Sequence, residues 1–143
     1  MSEVIPLAKT PPEVADLIQD IIKDKVVCDV GCGEGDFMEA MSKYAKKVIG
    51  IEEIEDRAKK ARTKGFDVIC DNSFFNMLPV ADVYYVWTRD SMGVYQKAVW
   101  EGTKGIFIFG MTKRPSSKSF IRSLKPQIRM TSSGWMVYIC RLP

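Results

Sequence analysis

Apolar residues recur along this chain with two different periods, and the switches between them mark out its elements. Val14, Leu17, Ile18, Ile21 and Ile22 stand three and four apart, the spacing of a helix face that packs on a larger surface. Thr10-Pro11-Pro12-Glu13 precedes them and reads as a helix start, with Thr10 as cap, proline in the first turn and Glu13 closing a capping box. The short run Val26–Val30 then suits a buried strand. A helix over 36–45 follows, burying Phe37, Ala40, Met41 and Tyr44, and then a strand over 48–52. Residues 54–64 predict a charged helix, with Glu55 facing Lys59 and Asp56 facing Lys60, closed by Gly65. Strands are predicted over 66–70, 83–87 and 105–109, with a helix over 91–100 between the last two. A short helix over 116–124 turns Phe120, Ile121 and Leu124 inward. Strands over 127–131 and 135–141 close the chain as a hairpin around Ser132-Ser133-Gly134. This alternation predicts an α/β domain over 1–143, with a mostly parallel sheet, one antiparallel strand and helices on both faces.

One stretch departs from these simple rhythms. The strand Val26–Val30 runs straight into Gly31, Gly33 and Gly35, and Asp36 and Phe37 then begin a helix. Alternating glycines between a strand and a helix expose bare backbone to a ligand. The dinucleotide fingerprint needs a sixth-position glycine, and that position is Asp36, so an NAD pattern fails. Glu52 ends the second strand, 23 positions after Asp29. That is close to the ~20-residue offset at which an acid reaches a bound ribose, and an ionised carboxylate can accept both ribose hydroxyls. Asp71-Asn72-Ser73 ends the third strand.

Composition narrows the chemistry further. No histidine occurs among the 143 residues, which removes Ser-His and Cys-His catalysis, histidine bases and histidine metal sites. Cys28, Cys32, Cys70 and Cys140 lack the paired spacing of a zinc site or a disulfide framework. They read as small core residues in a reducing cytoplasm. Neither a signal peptide nor a membrane-spanning run is expected. All 18 acids lie at or before Glu101, while Lys104, Lys113, Arg114, Lys118, Arg122, Lys125, Arg129 and Arg141 follow it. Such asymmetry marks either a surface for acidic partners or an ordinary solvated face.

Asp29 ahead of Gly31-Cys32-Gly33-Glu34-Gly35, at the end of an apolar strand, resembles motif I of the class I S-adenosylmethionine (SAM) methyltransferases. Thr10-Pro11, the loop 29–35, Gly50-Ile51-Glu52 and the short turn 71–75 resemble, more narrowly, the small archaeal-type protein-lysine methyltransferases. That likeness covers roughly residues 10–110 and fades through the basic tail. The resemblance implies a Rossmann-like sheet of seven strands, with SAM across the carboxyl ends of the first three. It implies that Asp29 lies under the methionine end, that Gly31, Cys32, Gly33 and Gly35 form the cofactor loop, and that Glu52, with Glu53 beside it, holds the ribose. Asp71 and Asn72 would reach the adenine, and Thr10 the methionine carboxylate.

The position after the fourth strand, where the family often carries substrate residues, reads Trp87-Thr88-Arg89-Asp90. Neither the Asn/Asp/Ser-Pro-Pro-aromatic motif of amino-methyltransferases nor the Pro-Cys of cytosine-C5 enzymes is present. Trp87, Tyr85 and Asp90 are candidates to line an acceptor pocket, although core packing explains both aromatics equally well. Without a cap domain the pocket should stay open on one side, as suits a macromolecular acceptor. A protein lysine is the expected acceptor. An RNA methyltransferase, or a SAM-binding module without turnover acting through a partner, are the alternatives. No metal and no membrane partner are expected.

Overall fold

The runs read as strands enter a single sheet in a computed structural model, which describes residues 9–71, 78–87, 91–111 and 118–143. The strands are β1 (Val26–Val30), β2 (Lys47–Glu52), β3 (Asp67–Cys70), β4 (Val83–Val86), β5 (Ile106–Met111), β6 (Gln127–Met130) and β7 (Met136–Arg141). Their order is β3-β2-β1-β4-β5-β7-β6. The pairs from β3 through β5 are parallel, and β7 runs antiparallel to both β5 and β6. The expected mostly parallel sheet with one antiparallel strand is therefore what forms. The chain winds outward from β1 to β3, then returns to place β4 on the other side of β1. That reversal opens a crevice beyond the carboxyl ends of β1 and β4, the usual ligand position in open α/β sheets.

Period-two alternation distributes the strand residues between two cores. Val27, Val83, Tyr85, Ile108 and Val137 face one side, under α1 (Glu13–Leu17), α2 (Gln19–Ile22), α3 (Asp36–Ser42) and α4 (Glu55–Thr63). Cys28, Val30, Tyr84, Val86, Phe107, Phe109 and Tyr138 face the other, under α5 (Ser91–Trp100) and α6 (Lys118–Ser123). Helices thus cover both faces. Burying an Ile or Phe of this kind contributes about 1.5–3 kcal/mol, so these two layers carry the fold. No described helix is long and apolar enough to cross a membrane.

The N-terminal helix departs from its sequence pattern in two ways. Ile18, at φ −110° and ψ 13°, divides it into α1 and α2. The expected Thr10 cap and Glu13 capping box do not form: Pro12 holds the cap position and no side chain caps the helix. Thr10 instead shares a hydrogen bond with the Tyr85 hydroxyl, 3.3 Å away, and Glu13 accepts one from Ser133. Tertiary partners have taken both polar groups away from the local motif. The apolar stripe survives, with Ile18 and Ile22 fully buried.

Other local motifs are also redirected. α3 ends at Ser42, short of the expected residue 45, because the chain turns to place Lys46 and Lys47 N–H on the Lys25 carbonyl at the start of β2. In α4, Lys60 reaches out of its helix to Glu34, 3.0 Å away, instead of pairing with Asp56. Arg62 donates twice to the Val68 carbonyl, at 2.8 and 3.1 Å, and so ties α4 to β3. The C-terminal hairpin closes where its sequence places it, with Thr131 N–H on the Trp135 carbonyl at 2.8 Å. Arg129 docks the hairpin on the N-terminal helices, bonding both Asp20 oxygens at 2.6 and 3.0 Å and the Leu17 carbonyl at 2.9 Å.

Candidate functional site

The crevice above β1 holds a pocket lined by Lys9, Thr10, Asp29, Gly31, Cys32, Gly33, Glu34, Asp36, Phe37 and Trp87. Five of these residues were named from sequence as cofactor residues (Thr10, Asp29, Gly31, Cys32, Gly33), and Trp87 as an acceptor residue. Gly35 shapes the loop without lining the pocket, and Glu52, Glu53 and Asp71 stand at the neighbouring strand ends. Asn72 and Asp90 lie outside the described residues.

The glycine loop is built the way its sequence requires. Gly31, Gly33 and Gly35 all carry positive φ, at 84°, 58° and 90°, angles that side-chain-bearing residues rarely adopt. At Gly35 a Cβ would also press to 3.2 Å from the Ala61 side chain on α4. Two backbone donors, Gly31 and Cys32 N–H, converge on the Ile51 carbonyl at 2.8 and 2.9 Å. Gly50 serves the same loop from below, since a Cβ there would lie 2.6 Å from the Cys32 Sγ and 2.8 Å from the Met38 Sδ. Cys32 therefore turns its thiol into the core, where burial raises its ionisation far above the ordinary range.

Two buried carboxylates bracket the loop. Glu52 is 5 % exposed; one oxygen accepts from Gly33 N–H at 2.8 Å and the other from Ile54 N–H at 2.9 Å. Asp29, 3 % exposed, lines the pocket, and its Oδ2 has no hydrogen-bond partner among the described residues. Burial, followed by the nearby Glu52 charge, pushes the Asp29 carboxyl up to about 8. Asp71 is buried beside them, with its N–H 3.2 Å from the Glu52 carbonyl.

The two aromatic candidates occupy different places. Tyr85 pairs in register with Asp29 and is fully enclosed, packed on Phe37 with ring centroids 4.6 Å apart. A Cβ at Gly110 would meet its hydroxyl at 2.0 Å, so that glycine leaves the hole that the phenol occupies. Trp87 is half-buried, lines the pocket and meets Trp135 edge to face at 5.7 Å.

Sequence reasoning did not assign Lys9, Glu34, Asp36 or Phe37 to the pocket. Lys9 bonds Asp36 at 3.0 Å, and Lys64 bonds the other Asp36 oxygen at 3.0 Å. These two lysines hold the Asp36 carboxyl below its ordinary range. The adjacency of Lys9 to Thr10 and the place of Glu34 inside the glycine run were the available signals. The sequence marks Asp36 as a helix start and as the break in a dinucleotide pattern, with no sign of its place in the pocket.

This is the fold of the class I methyltransferases. It is similar, at a TM-score of 0.72 and 18% identity, to an RNA methyltransferase from Salinibacter ruber in complex with S-adenosyl-L-homocysteine, covering 95% of this chain and 94% of that one. A SAM-dependent O-methyltransferase from Thermotoga maritima matches at a TM-score of 0.70 and 15% identity, over 95% of this chain and 67% of that one. The C-terminal domain of precorrin-6Y C5,15-methyltransferase from Rhodobacter capsulatus matches at 0.67 and 15%, over 93% and 90%. The sequence itself matches no protein-family model and no curated protein.

Proposed function

We propose that this protein is a SAM-dependent methyltransferase acting on a macromolecular acceptor, with a protein lysine as the favoured one. The observation that carries the proposal is the Asp29 oxygen that has no hydrogen-bond partner among the described residues, buried in a pocket lined by the left-handed glycines Gly31 and Gly33. An orphaned buried carboxyl is costly unless a ligand completes it, and the ammonium of SAM's amino-acid end would supply the missing partner. The donor set fits that cofactor better than it fits a dinucleotide, because Asp36 lines the pocket where the NAD loop needs glycine.

The bound cofactor would supply a sulfonium with an activated methyl group, ready for in-line attack by an amine. What remains for the chain is orientation and closeness, about 3–3.5 Å between reacting atoms, and that needs no histidine. In this reading Asp29 holds the amino-acid end, and Gly31, Cys32, Gly33 and Gly35 admit the cofactor against backbone. Glu52 turns its remaining lone pairs to the ribose, with Glu53 beside it, while Asp71 and Asn72 serve the adenine. Trp87, with Asp90 two residues past its neighbour Thr88, faces the acceptor. Tyr85 supports Thr10 from beneath instead of touching the acceptor.

The lysine acceptor is favoured by the acidic balance of the chain up to Glu101, 18 acids against 13 bases. At the pocket itself the acids are already paired, Glu34 with Lys60 and Asp36 with Lys9 and Lys64. Arg129, one of the eight bases beyond Glu101, is spent on Asp20. An RNA acceptor is the second reading, supported by the exposed Arg122 and Lys125 and by the likeness in fold to the Salinibacter RNA methyltransferase. The test is calorimetry with SAM and NAD, followed by incubation of labelled SAM with fractionated cell extract. SAM binding with label entering protein is expected. A clear NAD isotherm with no SAM heat overturns the cofactor, label in RNA overturns the lysine, and SAM binding without any label transfer overturns the enzyme.

A further inference from the structure

We propose that Lys9 is a cofactor-specificity residue: its ammonium leaves Asp36 and binds the carboxylate of the ligand's amino-acid end, opposite Asp29. The inference rests on the SAM reading above and adds to it a residue that the sequence did not single out.

A free α-amino acid end carries one positive and one negative group, so its site needs opposite charges on two sides. Asp29 supplies the acid, with an oxygen that no described residue bonds. Among the described residues lining the pocket, Lys9 is the only base. Thr10, the residue expected at this carboxylate, is nearly buried and already shares its hydroxyl with Tyr85.

Lys9 can move because its present partner does not depend on it. Asp36 receives Lys9 on Oδ2 and Lys64 on Oδ1, each at 3.0 Å. When Lys9 turns toward a ligand, Lys64 remains on Asp36, so no carboxylate is left without a cation. Lys9 and Asp36 are both half-exposed, at 54% and 41%, and an exposed pair of this kind contributes little to stability. A lysine stem has the rotational freedom to swing its point charge between two nearby acceptors. Ion-pair exchange at the pocket lip therefore offers the ligand carboxylate a partner at small expense to the fold.

S-adenosylhomocysteine carries this amino-acid end and 5′-methylthioadenosine lacks it, so the two ligands isolate the interaction. Calorimetry on the full chain would compare wild type, Lys9→Ala and Lys9→Arg with both ligands. The expected result for Lys9→Ala is at least tenfold weaker binding of S-adenosylhomocysteine, with methylthioadenosine unchanged within twofold. Lys9→Arg should restore most of the loss, and raising the salt concentration should shrink the gap between wild type and Lys9→Ala. Equal weakening for both ligands, or unchanged S-adenosylhomocysteine affinity in Lys9→Ala, overturns the assignment while leaving the methyltransferase reading intact. If wild-type protein binds neither ligand, the methyltransferase reading fails first and Lys9 with it.

Discussion

Asp29 and Glu52 are acids of the same chemistry, buried to the same depth at the carboxyl ends of adjacent parallel strands. They differ in what surrounds them. Glu52 gives each oxygen a backbone amide, from Gly33 and from Ile54, and so fastens the glycine loop to β2. Asp29 sits one strand over with an oxygen that bonds none of the described residues. Satisfied carboxylates hold a fold together, whereas an unsatisfied one is a standing cost that persists where a ligand relieves it. The pair divides the labour of the site: Glu52 builds the loop and Asp29 waits for what the loop admits.

The comparison can be broken most severely at the residue that links the two acids. Gly33 donates to Glu52 from φ +58° and lines the same pocket as Asp29. Gly33→Val should abolish SAM binding altogether in a protein that still shows its α/β circular dichroism. Normal calorimetric titration of that variant would make the loop an ordinary turn. Glu52→Ala comes next, because it leaves the Gly33 and Ile54 amides without acceptors. Losing hydrogen bonds to a charged group should weaken SAM binding by about 1.5–3 kcal/mol and lower the urea midpoint as well. Glu52→Gln, which can still accept one of the two amides, should fall between. If Glu52→Ala lost affinity yet kept wild-type stability, Glu52 would be a ligand contact and no fastener.

These two acids also show how far the chain could be read before its structure was known. The strands themselves, the single antiparallel one and the glycine loop follow from apolar periodicity and from the alternating glycines, so they were legible, whereas the order of the strands in the sheet was not. Glu52 was legible as a strand-end acid, but not as a partner of Gly33, because a 19-residue separation leaves no periodic trace. Thr10 and Glu13 misled for the same reason. Their spacing satisfies a local capping rule, yet Tyr85 and Ser133, distant in sequence, outcompete the helix N-terminus for them. Lys9 had only its adjacency to Thr10 to mark it, and folding brings it to Asp36 beside the glycine loop. Local chemistry could be read from neighbours in sequence. Long-range pairing could not, and much of this site is long-range.

The finest test of the contrast is the pH dependence of Asp29. Its carboxyl is raised from 3.8 to about 8 in the folded chain, by burial first and the Glu52 charge second. A raised carboxyl binds its proton more tightly folded than unfolded, so its favourable contribution is complete below about pH 4. It is lost progressively as pH climbs toward 8. Between pH 6 and 7 the wild-type protein should lose about 1.4 kcal/mol of stability from this residue alone, with the slope falling to about half of that by pH 8. Asp29→Asn has no such proton to lose, so its stability relative to wild type should rise with pH and level off above 8. Urea denaturation at pH 6, 7 and 8 measures that gap, and a constant gap would mean that Asp29 is not held protonated. The ligand supplies the complementary reading. A cationic group bound at Asp29 favours the ionised form, so wild-type affinity for SAM should strengthen from pH 6 to 7.5 by up to tenfold per unit. Asp29→Asn should bind more weakly and show no such slope, because it has no carboxyl proton to give up when the ligand binds.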